Sequence, residues 1–383
     1  MRYTTAGESH GRALTALLTG VPAGIPITAE DIDRDLARRQ RGYGRGGRQS
    51  IETDRVTILS GVRFGSTIGS PISLAVTNRD WDNWADVMSA SGTKPDNIRE
   101  THPRPGHADL TGVLKIASDD IRDVLERASA RETAARVAAG GVAKALLTAL
   151  GVRVSSYVDS IGQVRMPTAP DPAAVDSELV EASAVRCPDF ETSEAMKAAI
   201  DTARADGESL GGTFYVTATG LVPGIGGYAE ASERLDARLA AAVMSIPAIK
   251  GFEVGDGFHL ADVVGSQAHD PIQHAAGHGF TRPSNHAGGL EGGMTNGKPL
   301  VVRAAMKPIP TLMRPLASVD IDTLEAVDAS KERSDVCAVP AAAIVAEAEV
   351  ALVLADAYLS KFGNDALVDI VAARDAYLAR IAR

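Results

Sequence analysis

Five arginines and four glycines fall within residues 38–48, RRQRGYGRGGR. Guanidinium groups grip phosphate and carboxylate oxygens in pairs, and glycine lets a backbone approach a ligand closely. Arg38, Arg39 and Arg41 could do no more than answer the dipole of a helix end. Arg45 and Arg48 lie past that end, on a glycine loop, and point to an anion. The stretch also resembles an RGG-type RNA-binding segment. Such segments run as repeats in basic tails, whereas this is a single copy in a chain of net charge −10.

Histidines supply the candidates for proton transfer. In THPRPGHADL (101–110) two X-Pro bonds stiffen a loop, and Gly106 allows an unusual backbone angle just before His107. Neighbouring Arg104 and a bound phosphate dianion would act on the charge of that ring in opposite senses, the dianion making His107 a usable general acid. A loop histidine bonded to backbone is the plain alternative. TAGESHG (5–11) offers Glu8, Ser9 and His10. Adjacent residues of an extended segment point apart, and no GxSxG elbow is present, so a nucleophilic Ser–His pair is not supported.

LERASARETAAR (125–136) sets Arg127 and Arg131 at i and i+4, one face of an expected helix, where Glu126 and Glu132 could simply pair with them. ERSD (332–335) puts Arg333 beside Asp335 just before another helix, where an arginine could keep the carboxylate ionised. His269, His274, His278 and His286 lie on a glycine-rich stretch without metal-ligand spacing or a nearby cysteine, so metal: none. A Walker A loop and a GxGxxG strand–helix turn are both absent.

The elements that must hold these groups follow from pattern. Residues 27–42 carry helix signals, with Thr28 as N-cap and Gly42 as the stop. Strands are expected within 54–65, 69–80, 151–164, 211–222 and 298–306, the last after the Asn296–Gly297 turn. Residues 118–150 read as one helix, with a small-residue stripe of Ala130, Ala134 and Ala138. Its Gly140–Gly141 pair implies a very close neighbour or a bend. Further helices are expected at 190–206 and 234–246, and a last apolar one from Pro340. Residues 253–298 are a long Gly- and His-rich segment, expected to be a mobile functional loop.

With 383 residues, 45% hydrophobic and only 4% aromatic, the chain implies an α+β domain spanning 1–383 whose core is Ala, Val, Leu and Ile. Its acidic balance argues against general nucleic-acid binding or attraction to an acidic membrane. Two distant cysteines suggest buried free thiols in a reducing compartment. The first residues lack the apolar core of a signal peptide, and Glu347, Glu349 and Asp356 interrupt the best candidate for a membrane span. The expected localisation is cytoplasmic.

Seven blocks taken together, TAGESHG, RRQRGYGRGGR, THPRPGHADL, LERASARETAARVAAG, GGLEGGMTNGKPL, AAMKPIPTL and ERSDVCAVPAA, resemble the chorismate synthase family in order, from Arg2 to about Gly363. The resemblance implies a lyase performing the last shikimate-pathway step: anti-1,4-elimination of phosphate from 5-enolpyruvylshikimate 3-phosphate, giving chorismate. Reduced FMN is required without net redox change. His10 would assist the leaving phosphate, His107 would hold or protonate the flavin near N1, and Asp335 would help take the proton from N5. Arg48, Arg104 and Arg131 would contact substrate, and Arg39 and Arg45 NADPH or the substrate phosphate. FMN contacts would fall on Arg127, Ala128, Ser129, Pro247, Ala248, Gly292, Lys307, Pro308, Ile309, Pro310, Thr311 and Arg333. The implied fold is a β-α-β-α sandwich, with long central helices between antiparallel sheets, assembled as a homotetramer. No insertion looks like a reductase module, which favours a separate flavin reductase as partner. His286 and the loop around 265–285 depart from the family pattern.

Overall fold

Thr28 caps helix α1 (Ala29–Gln40) through a reciprocal box: its hydroxyl accepts from the Asp31 N–H, and the Asp31 carboxylate accepts from the Thr28 N–H. Ile32 and Leu36, one turn apart, are fully buried and turn the helix onto the core. This computed structural model describes residues 1–47, 52–168, 170–171, 175, 177–275, 279–332 and 335–382.

Two antiparallel sheets enclose the long helices. Strands β1 (Arg2–Ala6), β2 (Ala13–Thr19), β3 (Val56–Ile58) and β6 (Ile72–Thr77) form the first, in the order β1-β2-β6-β3; β4 (Val62–Arg63) and β5 (Ser66–Thr67) are a small hairpin beside it. Alternation along β2 buries Leu14, Ala16 and Leu18 on one face. Strands β7 (Arg153–Ile161), β8 (Val164–Arg165), β9 (Gly212–Thr219), β10 (Ile249–Val254) and β15 (Leu300–Met306) form the second, in the order β10-β15-β9-β7-β8. Between β10 and β15 in the chain, within 273–295, come the short hairpins β11 (Gln273–Ala275) with β12 (Gly279–Thr281) and β13 (Leu290–Glu291) with β14 (Met294–Thr295).

The expected single helix over 118–150 is instead three pieces: α2 (Asp109–Ile116) precedes it, and the span itself holds α3 (Arg122–Ala128), a 3-10 turn (Ala130–Glu132) and α4 (Thr133–Ala149). Ser129 adopts extended dihedrals, φ −64° and ψ 142°, which ends α3 and re-aims the chain. Arg127 and Arg131 therefore do not share a helix face. Helices α5 (Ser177–Ala182), α6 (Phe190–Asp206), α7 (Leu235–Met244) and α8 (Gly265–Ala268) follow, then α9 (Val339–Phe362) from its first-turn proline. The helix at 340 is not the last: α10 (Leu367–Ile381) packs onto α9.

Helix α4 lies on the first sheet, α9 on the second, and the two pack directly on each other. A Cβ at Gly140 would stand 2.3 Å from the Ala348 Cβ, and one at Gly141 3.0 Å from Ile32 Cγ1. The glycine pair thus admits α9 on one side and α1 on the other, as a close neighbour requires. Ala134 and Ala138 are fully buried at this seam, whereas Ala130 sits in the exposed turn before α4. One hydrophobic cluster runs from the first sheet through α4 and α9 to the second, and includes both free cysteines. Burial pushes the thiols up, Cys187 to about 11 and Cys337 to about 12, so neither is a ready nucleophile. Among the described residues no helix is long and apolar enough to cross a membrane.

Candidate active site

The break at Ser129 opens a cavity of about 260 Å³ between the C-terminal end of α1, the α3–α4 turn, the loops at 246–248 and 306–311, and the first turns of α9. Its lining brings together Arg39, Arg45, Arg104, Arg131, Lys307, His10, His107 and Asp335, gathered from across the sequence. Five Arg and Lys side chains face three carboxylates, Glu52, Glu332 and Asp335.

Arg39 is buried, its Nε donating to Thr133 Oγ1 at 3.0 Å, Nη1 to Asp54 Oδ2 at 3.2 Å and Nη2 to the Ala130 carbonyl at 3.1 Å. Burial pushes its pKa down to about 10; Asp54 opposes that, and the nearby charges of Arg131 and Arg45 reinforce it. Arg131 shares Asp54 and also donates from Nε to Asn78 Oδ1 at 2.9 Å. Its Nη2 stands 3.6 Å from Glu52 Oε2, ion-pair range, yet has no hydrogen-bond partner among the described residues; the same holds for Arg45 Nε. Buried charged donors left over in this way are costly unless a ligand anion completes them.

The first histidine is held by a residue 116 positions away. His10 Nδ1 lies 2.9 Å from Glu126 Oε1, its backbone N–H donates to Glu126 Oε2 at 2.8 Å, and its ring stacks on Trp84 at 3.8 Å between centroids. Burial works against ionising Glu126, but the His10 hydrogen bonds and Arg122 prevail and hold it below the usual range. Glu126 pairs with Arg122 and Glu132 with Arg136, each at i,i+4, so neither meets Arg127 or Arg131 as the simple pairing expected. Ser9 accepts from the Ser129 hydroxyl at 3.1 Å, a contact with the α3–α4 break.

His107 is held locally. Its Nδ1 meets Asp109 Oδ1, and Arg104 Nη2 lies 3.1 Å from the same nitrogen. The like charge anticipated from Arg104 is therefore offset, because Asp109 also accepts from Arg104 Nε at 2.8 Å. Burial opposes the Asp109 charge, yet these hydrogen bonds hold its carboxyl well below the ordinary range. Asp335 takes its cation from Arg45, 2.8 Å away, and accepts from the Gly46 N–H at 2.6 Å.

The same lining includes apolar side chains, Ile246, Pro247, Ala248, Met306, Ile309, Pro310 and the α9 residues Ala338, Ala341, Ala342 and Val345. Ala248 has φ +67°, an uncommon conformation for a residue with a Cβ, and its carbonyl accepts from the Lys307 N–H at 2.9 Å. Lys307 Nζ donates to the Gly106 carbonyl, tying the 307–311 loop to the His107 loop. Apolar lining together with unmatched guanidinium donors in one cavity fits a ring system bearing a phosphate.

Of the anticipated flavin contacts, Ala128, Ser129, Pro247, Ala248, Lys307, Ile309, Pro310 and Thr311 line this cavity. Pro308 is not on the lining itself. Arg127 is not either: it donates to the Gly7 and Thr5 carbonyls, both at 3.0 Å, bracing the strand that leads to His10. Gly292 is absent from the lining and sits with φ +57° in the β13–β14 turn. Arg48, His278 and Arg333 lie outside the described residues. None of the described residues of 253–298 lines the cavity, and His286 binds Asp256 at 2.7 Å. Among the described residues no His, Cys, Asp and Glu group could hold a metal.

The arginine stretch does not behave as an RNA-binding tail: Arg39 and Arg45 turn into the cavity, and Arg38 enters a separate buried cluster. Glu126, Asp109, Asp54 and Trp84 are site residues that sequence reasoning passed over. Only Asp109 had a local signal, two residues after His107.

The family model described as chorismate synthase matches residues 1–359. A chorismate synthase of Symbiobacterium thermophilum is 54% identical over 393 residues, covering 100% of both chains. One of Rubrobacter xylanophilus is 56% identical over 379 residues, covering 99% of this chain and 97% of its own. A crystal structure of chorismate synthase matches with a TM-score of 0.81 at 42% identity, covering 100% of this chain and 98% of that one.

Proposed function

Since the chain belongs to the chorismate synthase family, and so to the lyases, we propose that it converts 5-enolpyruvylshikimate 3-phosphate to chorismate by 1,4-elimination of phosphate, using reduced FMN with no net redox change. The observation that carries this reading is the cavity of buried, incompletely bonded arginines flanked by two carboxylate-held histidines. The chemistry that reduced FMN supplies when bound is transient electron donation to the substrate and acceptance of the C6 proton at N5.

The chain's own residues do the rest. Arg39, Arg45, Arg104 and Arg131 neutralise the substrate's phosphate and two carboxylates and the flavin phosphate, and they stabilise charge as it grows on the departing phosphate. Arg48 would add to this set. His10, with Nδ1 engaged by Glu126, has Nε2 left to protonate the leaving phosphate. His107, fixed through Asp109, donates a hydrogen bond to the reduced ring. Asp335 is the final proton acceptor, kept oriented by Arg45 and the Gly46 N–H. The apolar lining excludes water, which strengthens each of these interactions.

We read residues 1–383 as one domain of a cytoplasmic homotetramer that depends on a separate flavin reductase, with 253–298 as its mobile segment. Arg39 and Arg45 would meet NADPH if it binds. The test is anaerobic: protein, 5-enolpyruvylshikimate 3-phosphate and dithionite-reduced FMN are mixed, and chorismate absorbance and phosphate release are followed together. Matched appearance is expected. Absence of chorismate from folded, FMN-binding protein would sink the reading. Repeating the mixture with oxidised FMN and NADPH tests the reductase dependence, with no turnover expected.

A further inference from the structure

Glu126 is engaged by the Ser9–His10 dipeptide at every available acceptor. Its backbone carbonyl accepts from the Ser9 N–H at 3.0 Å, its Oε2 from the His10 N–H at 2.8 Å, and both carboxylate oxygens lie within 3.0 Å of His10 Nδ1. Arg122 donates to the same carboxylate at 3.1 Å from one side, and its guanidinium lies 5.2 Å from the Trp84 ring centre. Trp84, tethered through its indole N–H to Asp80 at 3.2 Å, stacks on the histidine. The Glu126 side chain is 1% exposed and that of His10 12%, so water does not compete for these bonds.

We propose that Glu126 is the positioning residue for His10: with Trp84 it clamps the ring so that Nδ1 carries a fixed proton and all proton exchange with substrate occurs at Nε2. An ionised carboxylate only accepts, so it selects the Nδ1–H form of the neutral ring. The stacked indole removes the remaining freedom, rotation about the ring's own axis of attachment. Arg122 keeps the carboxylate itself from swinging. Charged groups near the ring include Glu126 and Arg122 from α3, Asp80 behind Trp84, and Arg12, which stacks on neighbouring Trp81 at 5.2 Å, while on its cavity side His10 shares a lining with Arg39, Arg45 and Arg131. A loose ring would present either nitrogen, and half its orientations would offer the phosphate the wrong one.

This inference rests on the proposed elimination for its catalytic meaning, but its geometry is testable without turnover. Glu126→Gln preserves shape while replacing an acceptor-only group by one that also donates. In ¹⁵N-histidine spectra at about pH 8, where an ordinary imidazole is neutral, the His10 signals (identified by their loss in His10→Asn) should report Nδ1–H in the native protein and a mixture in Glu126→Gln. The kcat of Glu126→Gln should fall about 100-fold or more, with KM changed less than about threefold, since misdirecting a catalytic imidazole costs that order. Glu126→Asp, which keeps the acceptor at shorter reach, should recover part of kcat and most of the Nδ1–H signal. It decides the matter if Glu126→Gln fails to fold. Unchanged turnover in a folded Glu126→Gln, or lost turnover with the Nδ1–H signature intact, would overturn the inference. An inactive native protein would instead defeat the proposed elimination, and the spectra would still decide whether the clamp exists.

Discussion

Arg38 and Arg39 are adjacent on α1 and end in opposite electrostatic surroundings. Arg38 enters a cluster around Glu347, which is fully buried on α9: Arg38 donates to both its oxygens at 2.8 and 2.9 Å, Lys144 at 2.6 Å, Ser156 at 2.6 Å and Arg186 at 3.4 Å. Burial opposes both charges, but mutual attraction wins, raising Arg38 above the ordinary guanidinium value and holding Glu347 well below the usual carboxyl range. Arg39 enters the cavity, where burial, with the nearby charges of Arg131 and Arg45, drives its own pKa down. The first network answers its cations with three acids of its own, Glu347, Asp35 and Glu181, and opens onto no cavity that holds the catalytic candidates. In the second, Arg45 Nε and Arg131 Nη2 have no hydrogen-bond partner among the described residues and their side chains line a cavity, which marks where a ligand belongs.

The contrast breaks most visibly at its two centres. Glu347→Ala would remove the fully buried acid that Arg38, Lys144 and Arg186 share, leaving them Asp35 and Glu181 alone, and should cost about 3–5 kcal/mol of unfolding free energy in urea titrations. Arg39→Met should leave that free energy within about 1 kcal/mol, since Asp54 keeps Arg131, while turnover falls about 10²–10³-fold. Equal stability losses in the two variants would erase the distinction between the networks.

Acid should expose the same difference. Glu347, Asp109 and Glu126 have folded pKa values below their unfolded ones, so their stabilisation is complete above about pH 4.5 and is lost as pH falls through the folded values. Each group gives up about 1.4 kcal/mol for every pH unit that separates its folded pKa from its unfolded one. Urea midpoints measured from pH 7 downward should drop below that point, and less steeply in Glu347→Gln. Gly140→Ala, which forces a methyl against Ala348 one residue from Glu347, should cost about 1–3 kcal/mol despite its better helix propensity. A stabilised variant would mean that α4 and α9 cross with room to spare.

The smallest effect sharpens the comparison within α9 itself. Glu349, two residues from Glu347, is also buried, yet among the described residues it meets only the Tyr3 hydroxyl and Arg136, which Glu132 shares. Burial prevails and its pKa is raised, so its protonated form favours the fold and that contribution fades as pH rises through the raised value. Glu349→Gln should therefore be neutral or stabilising by up to about 1 kcal/mol at neutral pH, read from the same urea titrations. A loss comparable to that of Glu347→Ala would show that this carboxylate is paired as fully as its neighbour.

Much of the frame was legible along the chain. The α1 boundaries follow from Thr28, Asp31 and Gly42 because caps are local chemistry, and Gly140–Gly141 pointed to a close neighbour or a bend, of which the structure has the close neighbour. His107 was legible for the same reason: its loop, its glycine and its carboxylate partner lie within a few residues. The helix break at Ser129 was not, since residues 118–150 keep helical composition throughout, and the contacts that accompany it, Arg127 with Thr5 and Gly7 and Ser129 with Ser9, come from about 120 positions away.

By itself the sequence determined which residues could do the chemistry, the blocks that reveal the family, and the local elements that carry them. Tertiary structure decided how the charges were shared out. Successive helix residues point about 100° apart, so Arg38 and Arg39 had to part, but where each arrived depended on α9 and α4, some 300 and 100 residues onward. Asp335 found Arg45 across 290 positions, and His10 found Glu126 across 116. Electrostatic partnership acts through space and burial rather than along the chain, so which arginine stays incompletely paired is decided only when the fold closes.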